Sequence, residues 1–290
     1  MKTSQNEYGN IKSILLKSPM QAFRNKSIIS EQWKDLNYTD LPDLEESLNE
    51  YLSFAGIIAE MKSEIIYLDE NEDTGLDSIY VRDASIATDH GMIICNMGKG
   101  ARSHEPRAHQ EFYEKLRVEV LGIIEAPGTL EGGDVAWIDK DTLAVGRGYR
   151  TNQSGIDQLR NLLAGKAEVV QFDLPHYRGE SDVFHLMSVF SPVDKDLAVV
   201  YSPLMPVAMR EMLKEKGYGF VEVPDEEFES MGCNVLAFGP RKCLMVQGNP
   251  ITKKGLEDAG AEVIEYKGEE ISLKGCGGPT CLTRPLIREL

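Results

Sequence analysis

The chain has 290 residues, 47 of them acidic against 31 Lys and Arg, a formal net charge of −16 and 42% apolar residues. The apolar share is ample for a core, the charge argues against nucleic acid, whose binders carry a basic footprint, and no run approaches the ~18 apolar residues needed to cross a bilayer. The first residues lack the apolar stretch of a signal peptide, and the five cysteines (95, 233, 243, 276 and 281) read as reduced thiols of a cytoplasmic protein.

Followed from the N-terminus, the apolar pattern repeats. Five helix-like stretches each run into a short β-rich segment, at 64–68, 122–126, 168–172, 219–223 and 262–266, whose starts lie 58, 46, 51 and 43 residues apart. Leu44, Leu48 and Leu52 predict the first of these helices, and Ile156, Leu159 and Leu163 the third. After each of the first four segments come a loop and two strand-like runs joined by an Asp, Gly or Pro turn: 78–88 with 92–96, 133–139 with 142–146, 184–192 with 196–201, and 233–239 with 242–247. A last run, 281–286, has no following partner unless 11–16, at the other end of the chain, supplies it. That pairing would close a ring of five ββαβ units, a pseudo-symmetric five-bladed α/β propeller formed by one domain over residues 1–290, with no convincing linker. Alternating strands and helices also describe an ordinary α/β sheet.

The repeat puts the unusual polar residues at equivalent points, in the loop leading into each inner strand: Asp77 and Asp83, then Glu131 and Asp134, His185, Cys233-Asn234, and Cys281. In a ring these points converge on the axis. Glu131-Gly-Gly-Asp134 sets two carboxylates around glycines that permit close approach or a positive φ, although a turn with solvated acids has the same composition. His185 opens an apolar run, where a hydrogen-bonded strand-end histidine is equally at home. Cys281 follows Gly275-Cys276-Gly277-Gly278-Pro279-Thr280, a turn suited to presenting a nucleophile. Histidines 90, 104, 109 and 176 read as surface residues, and Cys95 and Cys243, inside apolar runs, as small buried side chains. Cys233 and Cys276 have no evident base beside them. No His/Cys set has zinc spacing and no glycine loop has the P-loop form, so neither metal nor cofactor is expected.

With Glu131-Gly-Gly-Asp134, His185-Leu186 and Gly277-Gly278-Pro279-Thr280-Cys281 in this order, 54 and 96 residues apart, the chain resembles the guanidino-group-modifying (pentein) superfamily over nearly its whole length. The resemblance implies a five-bladed propeller with its active site on the pseudo-axis. Within that superfamily the chain looks most like the dimethylarginine dimethylaminohydrolase branch. Asp77-Ser-Ile-Tyr-Val-Arg-Asp83 is similar to the segment carrying substrate-binding carboxylates, and Arg150-Thr-Asn152 to a motif whose arginine holds a substrate carboxylate. Arg102 matches a second such arginine, and Ser188 follows the histidine at the branch's spacing. Two positions depart from the pattern. Met187 stands where arginine deiminases and glycine amidinotransferases usually carry an Asp, and Arg82 stands where dimethylargininases usually carry an acid.

The resemblance assigns Cys281 as nucleophile, His185 as acid and then base, and Glu131 as a carboxylate that grips substrate and orients the histidine. Asp83, with Asp77 as a further candidate, would hold guanidinium nitrogens, and Arg150 and Arg102 the amino-acid carboxylate. The expected activity is hydrolysis of a C–N bond in a substituted arginine through a covalent thiouronium intermediate. An amidinotransferase and an arginine deiminase or dihydrolase are the alternatives. The expected partner is a small guanidino substrate, and a homo-oligomer is compatible with the sequence.

Overall fold

The computed structural model describes residues 2–180 and 184–290. Among them the strands form five sheets. Four follow one plan, an antiparallel pair followed by a helix and a third strand parallel to the second. These are Ser85–Thr88, Gly91–Ile94 and Val120–Ile123 with helix Glu105–Lys115, and Val135–Asp139, Thr142–Arg147 and Glu168–Asp173 with helix Gln153–Leu162. The next are Phe190–Asp194, Leu197–Val200 and Gly219–Glu222 with helix Val207–Glu215, and Leu236–Gly239, Lys242–Val246 and Glu262–Tyr266 with helix Pro250–Asp258.

The fifth sheet joins the two ends of the chain. Arg284–Glu289 pairs antiparallel with Asn10–Leu16, which runs parallel to Glu64–Tyr67 after helix Leu44–Glu60. The partner anticipated for the last run is therefore the N-terminal strand. Five apolar clusters close the circle, one between each pair of neighbouring sheets. Ile86, Ile93 and Val135, Val145 join the first to the second, and Ala136, Phe172 and Phe190, Val200 the second to the third. Val199, Val221 and Val235, Met245 join the third to the fourth, Leu244, Tyr266 and Ile14, Leu16 the fourth to the fifth, and Leu15, Leu286 and Ile94, Phe112 the fifth to the first. This is the five-bladed α/β propeller. Its inner strands are buried on both faces and read as continuous apolar runs, whereas the outermost strand of each sheet is partly exposed. No helix among the described residues is long and apolar enough to cross a membrane.

Two expectations are corrected, and one helix buries another face than its leucines. The helix expected from Leu44, Leu48 and Leu52 is present as Leu44–Glu60, but these residues do not line its buried face. A four-residue step advances ~40° beyond a full turn, so the leucines drift off the face and Leu52 is 69% exposed, while Tyr51, Phe54, Ala55 and Ile58 are buried. Ile156, Leu159 and Leu163, at mixed three- and four-residue spacing, stay on the buried face. His109 is buried, within 3.3 Å of Ser85 Oγ, rather than on the surface. Finally, the inner strands begin later than their apolar runs suggest. A tight turn precedes them, at Leu76–Ile79, Gly132–Asp134 and Leu186–Ser188 in the first three units, and those turns carry or adjoin the polar residues.

Candidate active site

Hydrogen bonds tie each entry turn or inner strand to its neighbour around the axis. Gly132 N donates to Asp83 O (2.8 Å), Leu186 N to Asp134 Oδ1 (3.0 Å), Ser191 Oγ to Cys233 O (2.7 Å), Thr280 N to Asn234 Oδ1 (3.0 Å), and Arg82 N to Cys281 O (3.2 Å). Residues up to about 200 positions apart in the chain are thereby held in one ring.

The glycines of Glu131-Gly-Gly-Asp134 serve close approach, and neither has a positive φ. A Cβ on Gly133 would lie 2.5 Å from His185 Nδ1 and 2.8 Å from Asp83 Oδ1. The turn before Cys281 is packed in the same way. A Cβ on Gly277 would meet the Tyr80 ring at 2.4 Å, and one on Gly278 the Asn234 side chain at 2.5 Å.

Glu131 is fully buried, and its Oε2 lies 2.7 Å from His185 Nε2. Its Oε1 accepts from Lys99 N (2.9 Å) and lies 3.7 Å from Arg150 Nη1. Burial would push the His185 imidazole down, but the carboxylates of Asp134, Asp83 and Glu131 outweigh it and hold it at about 9. Burial likewise acts to raise Glu131, and the hydrogen bond and charge of His185 bring it below the usual carboxylate range. Asp83 is held at about 2, the penalty of burial being overcome by Arg102, His185 and Arg284. One of its oxygens, Oδ1, has no hydrogen-bond partner among the described residues.

Cys281 Sγ accepts a hydrogen bond from Asn234 Nδ2 (3.2 Å). Burial and then the charge of Asp83 raise its thiol, against the opposing effects of Asn234, Arg82 and Thr280. Asn234 thus bridges the thiol and the Thr280 backbone, a role that its place at the fourth entry turn hinted at but did not specify. The other cysteines hold to expectation where it was definite, with Cys95 and Cys243 buried. Cys233 is buried as well, its thiol 3.8 Å from Val199 O.

Of the remaining predicted residues, Ser188 Oγ accepts from His185 N (3.0 Å) and closes that turn. Asp77 pairs with Lys99 Nζ (2.6 Å), which also donates to Leu36 O (2.8 Å), and Lys99 had no sequence signal of its own. Arg150 lies buried beside Glu131, while the adjacent Thr151 Oγ1 accepts from Glu131 N and Asn152 caps helix Gln153–Leu162. Arg102 does not present an open guanidinium. Its Nη1 bonds Asp83 Oδ2 (2.5 Å), its Nε and Nη2 form a fork with Glu105 (2.9 and 2.7 Å), and Nη2 also reaches Tyr80 O (3.0 Å). Arg82, the departure from the dimethylargininase pattern, turns into the core to pair with Glu7 (2.8 Å).

Asp83, Glu131 and His185 could each offer one ligand atom to a metal within 4.8 Å of the others. A metal there would have to displace the proton that the neighbouring carboxylates favour on His185, together with the hydrogen bonds of Asp83 to Arg102 and of Glu131 to His185.

Comparison with known proteins identifies the family and agrees with the fold. A family model described as N,N dimethylarginine dimethylhydrolase, eukaryotic, matches residues 22–288. A dimethylarginine dimethylaminohydrolase of Streptomyces coelicolor is 35% identical over 216 residues, covering 74% of this chain and 76% of that protein. Two solved structures share the fold. The dimethylarginine dimethylaminohydrolase of Pseudomonas aeruginosa, in complex with citrulline, superposes with a TM-score of 0.77 at 21% identity, over 94% of this chain and 98% of that one. The amidinotransferase SxtG of Microseira wollei gives 0.79 at 14% identity, over 99% and 97%. The chain belongs to the dimethylarginine dimethylaminohydrolase family of the pentein superfamily, and is a guanidino-group hydrolase acting on C–N bonds.

Proposed function

We propose that the protein cleaves a C–N bond of a substituted arginine, releasing citrulline and an amine. The observation that carries this reading is the His185–Glu131 pair at 2.7 Å, with His185, Cys281 and Asp83, whose Oδ1 is open, lining one cleft beside it; the surrounding carboxylates favour the protonated imidazole.

A guanidinium is a delocalised cation that water barely attacks. Asp83 Oδ1 and Glu131 accept its N–H groups and fix its plane. The Cys281 thiol gives its proton to solvent, and the thiolate adds to the central carbon, forming an S–C bond as the C=N π pair moves to nitrogen. As the adduct collapses, the C–N bond breaks and the proton on His185 passes to the departing amine, leaving a thiouronium on sulfur. Neutral His185 then takes a proton from water. The hydroxide adds to the same carbon, the S–C bond breaks with its electron pair returning to sulfur, the added hydroxyl gives its proton to the thiolate, and the urea group of citrulline is released. Arg150 serves the amino-acid carboxylate, and Arg102, with its donors engaged by Asp83 and Glu105, positions Asp83. Asn234 holds the sulfur.

The test is incubation of the purified protein with N-methylated arginines, followed by assay for citrulline and by intact mass of the trapped enzyme. Citrulline release that is lost in Cys281→Ser supports the reading. No citrulline from any arginine derivative refutes it.

A further inference from the structure

Two cavities meet at Cys281 and His185, and they differ in kind. The narrow one, about 20 Å³, holds the ionic groups, with Asp77, Asp83, Lys99 and Arg150 on its walls. The other, about 620 Å³, reaches out from the same thiol and imidazole past Met187, Phe228, Met231 and Leu273. Met187 is buried and the other three are half-buried. The charged groups of this cavity other than Arg82 (Glu226, Glu229 and Arg178) are exposed, and Glu229 is already engaged by Arg178 (2.7 Å) and the Tyr177 hydroxyl (3.0 Å). Beside the reacting atoms, then, the large cavity offers apolar surface, including an unbranched, polarisable methionine that adapts to irregular shapes.

Dimethylamine would leave most of that volume empty. The groups complementary to the charged end of an arginine, Asp77 and Arg150, line the narrow cleft and not the large cavity, and at about 20 Å³ that cleft must widen to admit it. Building on the proposed guanidinium chemistry, we infer that the large cavity receives the amine side of the substrate, and that the amine is a bulky apolar one rather than one bearing one or two methyl groups. The substrate class is an N-alkyl or N-aralkyl guanidine. The bond that breaks joins the central carbon to the nitrogen carrying this group. That nitrogen takes the proton from His185, and the amine leaves through the large cavity. Met187, Phe228, Met231 and Leu273 then determine which amines are accepted, since apolar burial favours each added methylene by about fourfold.

The experiment uses 2-chloroacetamidine and its N-methyl, N-butyl and N-benzyl forms as probes on the full-length protein. Each is a cation that can alkylate Cys281, forming an S–C bond and releasing chloride, and the rate constant of inactivation is read with intact mass. The N-butyl and N-benzyl reagents should react at least tenfold faster than the parent. In Leu273→Trp, and separately in Ser230→Tyr, that ratio should collapse toward one. If the parent reagent does not alkylate Cys281, the guanidinium reading fails and this inference with it. If the parent reacts but rates are flat or fall with size, the inference alone is overturned. It is overturned as well if both filled variants keep the wild-type preference, because the substituent then lies elsewhere.

Discussion

Replacing Glu131 by Gln tests the central electrostatic argument. In the wild type the His185 imidazole is held at about 9 against an ordinary value of 6.5, a net preference for imidazolium of about 3 kcal/mol. Glu131 makes the direct contact, at 2.7 Å, while Asp83 and Asp134 act without a hydrogen bond to the ring. Removing one contacting carboxylate should lower the imidazole to about 7, since a nearby opposite charge is worth about one to three pH units. At pH 7.5 the imidazolium fraction would fall from about 97% to about a quarter. About a quarter of the variant would still carry the proton, so from protonation alone turnover should fall about fourfold at pH 7.5, and by more as pH rises. Stability should respond as well. A histidine raised on folding stabilises fully below its unfolded value, and the contribution is lost as pH rises through its folded value. Wild-type unfolding free energy should therefore decline by up to about 3 kcal/mol between pH 6.5 and pH 9 from this group, and Glu131→Gln should flatten that slope. The assays are NMR titration of the His185 ring and urea unfolding at pH 6 and pH 9.5. A ring that still titrates near 9 in Glu131→Gln, with the wild-type slope intact, would refute the reasoning.

Asn234→Ala removes the hydrogen bond to Cys281 Sγ; losing a bond to a charged sulfur costs about 1.5–3 kcal/mol, so iodoacetamide alkylation of Cys281 at pH 8 should slow tenfold or more, and an unchanged rate would dismiss the contact. Gly133→Ala puts a Cβ 2.5 Å from His185 Nδ1; overpacking costs about 1–3 kcal/mol, so circular dichroism should show a folded protein with turnover reduced more than a hundredfold. Prolonged treatment with EDTA should leave citrulline release unchanged, because Glu131 is engaged by His185 and Asp83 Oδ2 by Arg102; lost activity restored by one metal ion would overturn that. Leu159→Ala, at a fully buried position, should cost about 2–5 kcal/mol in urea unfolding, whereas Leu52→Ala, at a 69% exposed one, should cost under about 0.5 kcal/mol.

The ring was legible because its units recur and because apolar runs report burial faithfully, so the outer segments fell within two or three residues of their strands. The strand starts were not legible. Leu76–Ile79 and Leu186–Ser188 are as apolar as the strands that follow them, and nothing in a run of apolar letters separates a buried tight turn from a buried strand. The candidate site was legible in its outline for a related reason: a carboxylate, a histidine and a thiol stand out where apolar residues are the rule. What the sequence could not supply was partnership. Arg102 looks the same in one dimension whether it faces a ligand or a fork with Glu105, three residues on. Lys99 lies amid glycines with no pattern to mark it, and the link of Asn234 to Cys281 spans 47 residues.

The proton positions also decide what the resting enzyme can do. Burial and the neighbouring Asp83 carboxylate keep the Cys281 thiol raised, while three carboxylates keep a proton on His185 up to about 9. A histidine already protonated at neutral pH cannot be the base that makes the thiolate, so the resting pair is thiol and imidazolium. The resting state already has the acid needed for the first half-reaction. Arg102 on Asp83 and Arg82 beside the sulfur leave the thiol raised all the same, so a further positive charge is needed to lower it. On the proposed chemistry a guanidinium seated against Asp83 Oδ1 supplies that charge, and the thiol releases its proton only in the presence of the group it is to attack. Neutral electrophiles get no such help, so a buried thiol surrounded by acids is a means of selecting for cations, and the same carboxylates that grip the substrate keep the nucleophile quiet until it arrives.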